Sequence, residues 1–407
     1  MAILSLRDVR PIQDFGGLQE AEDVLVETLS AEMYRVVLSS PRFARGTLAR
    51  PSVRALLSSS RVVRPYRIEH HQGRGDPADV LVVLARDLRD ASMLVGVPEW
   101  HQLGKLVMVH LENVTEWELR RYIELIATLR KRVDALFTSR EMPPLGHLSS
   151  ARLRTIEVVP PLLDVLAFPA WPQAAHRTID ILSSGAAPRA QDQLLRQWAT
   201  EHGGNYRQDI GQLGAVTSLA QHRKIFTTMA SRSRLFLTNY RRYGRGRGGG
   251  YREVGTRFFE AMAAGCVLVG DLPRDSRQFV DYVAPAMPLR FPVNASALPR
   301  EVVAALADPE HSSLLGTAAR AAALRGNDVA HRWREMATLA GLPASPGVEA
   351  RISQLAALAD DLNTAGGLGP DSSGLGSGRE WPDGMSFTGA DGSASGHGHR
   401  DEAFHRS

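Results

Sequence analysis

The stretch Glu253-Val-Gly-Thr-Arg-Phe-Phe-Glu-Ala-Met-Ala-Ala-Gly-Cys-Val-Leu-Val-Gly-Asp271 holds residue types suited to a phosphorylated ligand rich in hydroxyls. Gly255 and Thr256 open a short helical pattern, and the unbonded amides of a first helical turn receive anionic oxygen such as a diphosphate. Glu260 lies one turn inside, where a carboxylate accepts hydrogen bonds from two vicinal hydroxyls, as a ribose offers. Arg257 sits a turn ahead of it, placed for an ion pair or for phosphate. Gly265 falls where the helix has to close in a turn that a side chain would obstruct.

Arg257, Glu260, Ala261, Ala263 and Gly265, followed by an apolar strand, form the pattern Arg-x-x-Glu-Ala-x-Ala-x-Gly. This segment resembles the C-terminal domain of GT-B glycosyltransferases of the "glycosyl transferases group 1", family 4-like type. The resemblance implies Glu260 on the donor ribose, Gly255 and Thr256 on its diphosphate, and Glu253 toward the sugar. Glu253 and Glu260 enclose one residue fewer than the glutamate pair of the best-known members.

Weaker similarities follow in the family's order along the chain. Phe15-Gly16-Gly17-Leu18-Gln19-Glu20 looks like the glycine-rich loop after the first strand, where Gly16 and Gly17 let backbone amides approach donor or acceptor. Leu106-Val-Met-Val-His110 ends a strand in a histidine, and His110 is thereby the expected catalytic contact to the transferred sugar. Ile179 to Gly185 followed by Arg189 resembles the first strand and phosphate loop of the donor domain, with Ala186 where a basic residue is usual. Asn239, at the end of Leu235 to Thr238, joins the donor-binding set, and Val158-Val-Pro-Pro161 with Asp164 resembles the interdomain link.

The elements that must position these residues alternate. Apolar runs at 2–6, 34–38, 78–84, 106–110, 133–138 and 156–159 read as strands, separated by helical patterns such as 18–29 and 115–131. Pro160, Pro161, Pro169 and Pro172 interrupt the alternation, and it restarts with strands at 179–183, 235–238 and 266–269 and helices at 191–202, 222–231 and 256–264. Alternation predicts parallel sheets covered on both faces, and two such Rossmann-like, doubly wound domains put their strand carboxyl ends across a central cleft. The expected organisation is an acceptor-side domain at 1–165, a nucleotide-sugar donor domain at 166–345, a helix at 346–365 and a disordered, Gly- and Ser-rich tail at 366–407.

A chain of 407 residues with 43% hydrophobic and 23% charged residues buries ample apolar surface. Its 48 basic against 44 acidic residues make a mixed surface, not a polycation, so nucleic acid is not the expected partner. The run Arg241 to Arg252 reads as a loop ordered by donor phosphates, and His70-His71 near Asp76 and Asp79 does not read as a metal site, because adjacent strand residues face opposite ways. Cys266, the single cysteine, reads as a small buried hydrophobe and favours a reducing compartment. With no leader-like or membrane-spanning apolar run, the expected location is cytoplasmic.

The implied reaction is metal-independent transfer of a sugar from a UDP-, GDP- or dTDP-sugar to an unknown acceptor, with no cofactor. Asp76, Asp79, Asp87 and Glu112 all stand as possible general bases. A nucleotide-sugar epimerase of the same fold, or a non-catalytic nucleotide-sugar-binding protein, are the rival expectations.

Overall fold

Continuous Val, Leu, Ile and Ala runs form strands buried on both faces, and here they build two sheets, one parallel and one parallel but for an edge strand. A computed structural model describes residues 1–9, 16–38, 66–70, 77–97, 100–112, 129, 131–139, 155–169, 177–184, 187–209, 218–242, 252–273, 276–286 and 288–365. All of these lie in the compact unit Met1–Pro370. The 366–407 tail and most of the helix expected at 115–131 fall outside them.

The first sheet contains β1 (Ala2–Ser5), β2 (Glu32–Leu38), β3 (Tyr66–His70), β4 (Ala78–Ala85), β5 (Gly104–Leu111), β6 (Ala135–Thr138) and β7 (Thr155–Val158), in the order β3-β2-β1-β4-β5-β6-β7. Every pair is parallel except β2 with β3. Leu4, Leu81, Val83 and Val109 enter the core on one face, and Ile3, Val82, Leu84 and Met108 enter that on the other, where helix α1 (Gly16–Leu29) contributes Leu18, Ala21 and Leu25. Beyond β4, the single-turn helix α2 (Leu88–Ala91) is capped by Asp87.

The second sheet has β8 (Ile179–Ser184), β9 (Tyr206–Asp209), β10 (Ser233–Leu237), β13 (Val267–Gly270) and β14 (Leu289–Arg290) in the order β14-β13-β10-β8-β9, all parallel. Between β10 and β13 the two-residue strands β11 (Arg241–Arg242) and β12 (Arg252–Glu253) pair antiparallel, and residues 243–251 lie outside the described set. Helices α3 (Arg189–His202), α4 (Leu219–Ser231), α5 (Thr256–Ala263), α6 (Arg300–Ala307) and α7 (Pro309–Gly326) belong to this half. Strand order reverses between β1 and β4 in one sheet and between β8 and β10 in the other, and ligands of open α/β sheets bind at the carboxyl side of such points.

The last helices depart from a simple sequential division at 165 and 345. Helix α8 (Val329–Leu339) follows the second sheet in the chain, yet Val329, Trp333 and Met336 share a core with Ile3 and Leu18 of the first half. Helix α9 (Pro346–Ala365) places Val348 in that same core and Leu355 and Ala359 in the core of the second half. The apolar period of a helix tells that it has a buried face, not which sheet that face meets. No described helix is long and apolar enough to cross a membrane.

Candidate functional site

Helix α5 is the centre of the site. Its N-cap Gly255 (φ −78°, ψ 165°) supplies no side-chain acceptor, and a Cβ added there meets nothing within 4 Å. Phe258, Phe259, Ala261 and Met262 bury the helix in the second core. At its end Gly265 turns left-handed (φ +67°), its amide reaching Met262 O at 2.9 Å and that of Cys266 reaching Ala261 O at 3.0 Å, the paired bonds of a Schellman stop. Cys266 is fully buried, as expected, and burial pushes its thiol up to about 11. Strand β13 then runs to Gly270, whose Cα comes so close to β10 that a Cβ would lie 1.6 Å from Thr238 O.

Glu260 is only 2% exposed, and each carboxylate oxygen already has a guanidinium partner. Arg257 donates to Oε2 at 2.5 Å and Arg223 of α4 donates to Oε1 at 2.6 Å. The other edge of Arg223 is taken by Glu20 of α1, with Nε donating to Oε1 at 2.9 Å and Nη2 to Oε2 at 2.8 Å. Phe168 and Phe226 lie under the Arg223 guanidinium at 5.6 and 5.4 Å, and Arg257 covers Phe226 at 4.4 Å. Burial pushes the Glu260 carboxyl up, but Arg257 and Arg223 together outweigh it and hold the group below the ordinary carboxylate range. Glu20 has one guanidinium against its burial, and burial prevails to raise it.

The first sheet meets α5 through the carboxyl end of β5. Thr256 Oγ1 donates to Glu112 Oε1 at 2.6 Å, so a carboxylate of the first half lies at the N-terminus of the helix. Nearby, Gln278 Nε2 donates to Ser139 O at 3.1 Å.

His110 does not reach this surface. It is 1% exposed, its Nε2 is 3.1 Å from Ser139 Oγ, and its Nδ1 is buried without a hydrogen-bond partner. Burial pushes its imidazole down to about 3, so the ring is neutral. His110, expected to contact the sugar, is thus enclosed within the sheet, and the side chain after β5 that reaches α5 is Glu112.

The other expected residues are distributed as follows. Gly16 and Gly17 open α1, and a Cβ on Gly17 meets nothing within 4 Å. Arg189 is the exposed first residue of α3. Asn239 exchanges hydrogen bonds with Gln191 at 2.8 and 3.1 Å and accepts from the Asp271 amide at 2.9 Å, which braces the loop after β10. Glu253 ends β12, paired with Arg241. Of the possible bases, Asp79 binds Lys105 near the amino end of β4, away from the cleft, and Asp87 caps α2, while Asp76 lies outside the described residues.

Arg223, Ser139, Gln278 and the pairing role of Glu20 were missed at the level of sequence. Arg223 stands in an otherwise ordinary amphipathic helix, and no spacing signals a residue whose partners are 37 and 203 positions away.

Residues 177–338 match the protein family described as "Glycosyl transferase-like". No curated protein matches the chain. Among solved structures, it is similar to TarM (9% identity, TM-score 0.38, 64% of this chain and 54% of that one). It is also similar to a mutant of S. aureus TarM in complex with fondaparinux, alpha-GlcNAc-glycerol and UDP (10%, TM-score 0.39, 64% and 55%). A third is AviGT4, a glycosyltransferase involved in avilamycin A biosynthesis (14%, TM-score 0.30, 74% and 99%). The chain spans about half the length of TarM. The two sheets are bridged at their carboxyl ends by Thr256 with Glu112 and Gln278 with Ser139.

Proposed function

We propose that the protein is a glycosyltransferase that moves a sugar from a UDP-, GDP- or dTDP-sugar to an acceptor nucleophile. The observation that carries this reading is helix α5, with no side-chain cap from Gly255, inside the segment that matches the glycosyl transferase-like family and opposite the carboxyl end of β5. Its first amides are suited to the donor diphosphate, and they stabilise the charge that develops on the leaving group without requiring a metal.

In this reading Arg257, whose side chain is 41% exposed, swings off Glu260 and leaves Oε2 to the donor ribose, while Arg223 keeps Oε1. Arg189, at the exposed start of α3, is placed in reserve for phosphate, and the proposed working compartment is the cytoplasm. A non-catalytic nucleotide-sugar-binding protein is the second reading, favoured by the sealed His110.

The test is a thermal-shift panel of UDP, GDP, dTDP and their sugars with and without EDTA, on the wild type and on Gly255→Asp. The new Cβ meets nothing within 4 Å, and an aspartate at an N-cap is suited to bond the same amides and so to compete with a diphosphate. One nucleotide family is expected to raise Tm of the wild type and not of the variant, since a ligand of the native state must stabilise it. Absence of any shift in the wild type overturns the donor site. Stabilisation without transfer to a broad panel of acceptors supports the second reading.

A further inference from the structure

The guanidinium of Arg223 is shared between carboxylates of the two halves of the molecule: Glu20 on α1 takes its Nε and Nη2 edge, and Glu260 on α5 takes Nη1. Its side chain is 9% exposed, and Phe168 of the segment linking the two sheets packs against it together with Phe226. Arg223 therefore touches the first half, the link and the donor helix at one point.

Removing one member of a buried ion pair leaves an uncompensated charge, and the remaining charges rearrange to reduce that cost. If α1 withdraws from α4, the two-bond edge of Arg223 loses its anion. The guanidinium is then drawn to Glu260 as its remaining carboxylate partner, changing how that group is held. Separation of the halves and the geometry of Glu260 are thus linked by a single side chain.

We propose that Arg223 is a positioning residue that couples closure of the two halves to the orientation of Glu260, so that the donor site is complete only while Glu20 is engaged. This rests on the reading of α5 as the donor helix. A lysine is a point charge without the planar fork, and cannot hold a two-bond carboxylate and a second carboxylate in the same geometry.

Nitroxide labels on Glu27→Cys and Gln193→Cys, both exposed and in different halves, report the separation, while the buried Cys266 stays unlabelled. Distances are measured by pulsed electron resonance in the labelled protein and in its Glu20→Gln, Glu20→Asp and Arg223→Lys variants, with and without the same nucleotide panel. Glu20→Gln and Arg223→Lys are expected to shift the distances outward and to weaken nucleoside diphosphate binding about tenfold, with Glu20→Asp restoring part of both. A purely structural pair would lower Tm and leave distances and affinity unchanged at low temperature; that outcome in Glu20→Gln overturns the proposal, even where Arg223→Lys does not fold. If the wild type binds no nucleotide, the donor reading fails, and the distance shift without ligand still decides whether Glu20 and Arg223 hold the halves together.

Discussion

The Thr256 hydroxyl donates to the Glu112 carboxylate at 2.6 Å across 144 residues of sequence. That contact sets an anion of the protein at the positive end of α5, where the proposed diphosphate is to bind. Two anions compete for that place. Glu112→Gln is therefore expected to tighten nucleoside diphosphate binding about five- to tenfold, corresponding to about 1 kcal/mol of relieved repulsion at a partly exposed site. Titration calorimetry checks this. Weaker binding in the variant would make Glu112 a ligand of the donor instead of its competitor.

His110 gives stability a pH dependence of defined sign. The buried ring stays neutral down to about 3, whereas in the unfolded chain it takes up a proton below its ordinary value of 6.5. The unfolded state then binds more protons, and stability falls as pH drops through this window. At pH 5 the contribution lost is about 2 kcal/mol. Urea midpoints of the wild type and His110→Gln, compared at pH 7.5 and pH 5, are expected to show the steeper decline in the wild type.

Glu260→Ala strands Arg223 with Glu20 alone and frees Arg257. Removing one member of a buried ion-pair cluster is expected to cost roughly 3–5 kcal/mol. Arg257→Ala, which removes a side chain 41% exposed, is expected to cost much less. Because the Glu260 carboxyl is held below its ordinary range, its contribution is full above the unfolded value and is lost only as pH falls through the depressed one. Chemical unfolding from pH 7 to pH 3 tests both the size and the sign.

Two glycines of the site are expected to respond very unequally to alanine. At Gly270 the new Cβ would lie 1.6 Å from Thr238 O, a backbone atom of the neighbouring strand, so β10 and β13 have to part. A loss of about 3 kcal/mol or more follows. At Gly255 the added methyl meets nothing within 4 Å, and only the poorer N-cap preference of alanine, about 1 kcal/mol or less, is expected to be lost. Differential scanning calorimetry of the pair checks whether the close approach of the strands, and not glycine as such, is the constraint.

Much of this architecture can be read from sequence because strands buried on both faces, such as β4 and β5, are unbroken apolar runs. The polar edge strands escaped: Tyr66–His70 and Tyr206–Asp209 carry charges and, among the described residues, have a strand neighbour on one side only, and Leu289–Arg290 is too short to have a period. In the site, Arg257, Glu260 and Gly265 were visible because they lie within a few residues on one helix. His110 and Glu112 share a face of their strand, so the choice between them depends on where the neighbours end. His110 is flanked by Leu84 and Phe137 within the sheet, whereas Glu112 has passed the last residue of β5. Arg223 depended on three-dimensional closure alone.

The crossing of α8 and α9 back to the first sheet has a consequence for synthesis. Met1 to Val158 leave the ribosome with all the described strands of the first sheet, yet Val329, Trp333 and Met336, which cover part of one of its faces, are made only after the described strands of the second. The first half therefore waits with the part of that apolar face not covered by α1 still open while its neighbour is translated, and a nascent chain stalled before 329 is expected to bind holdase chaperones that the finished protein does not.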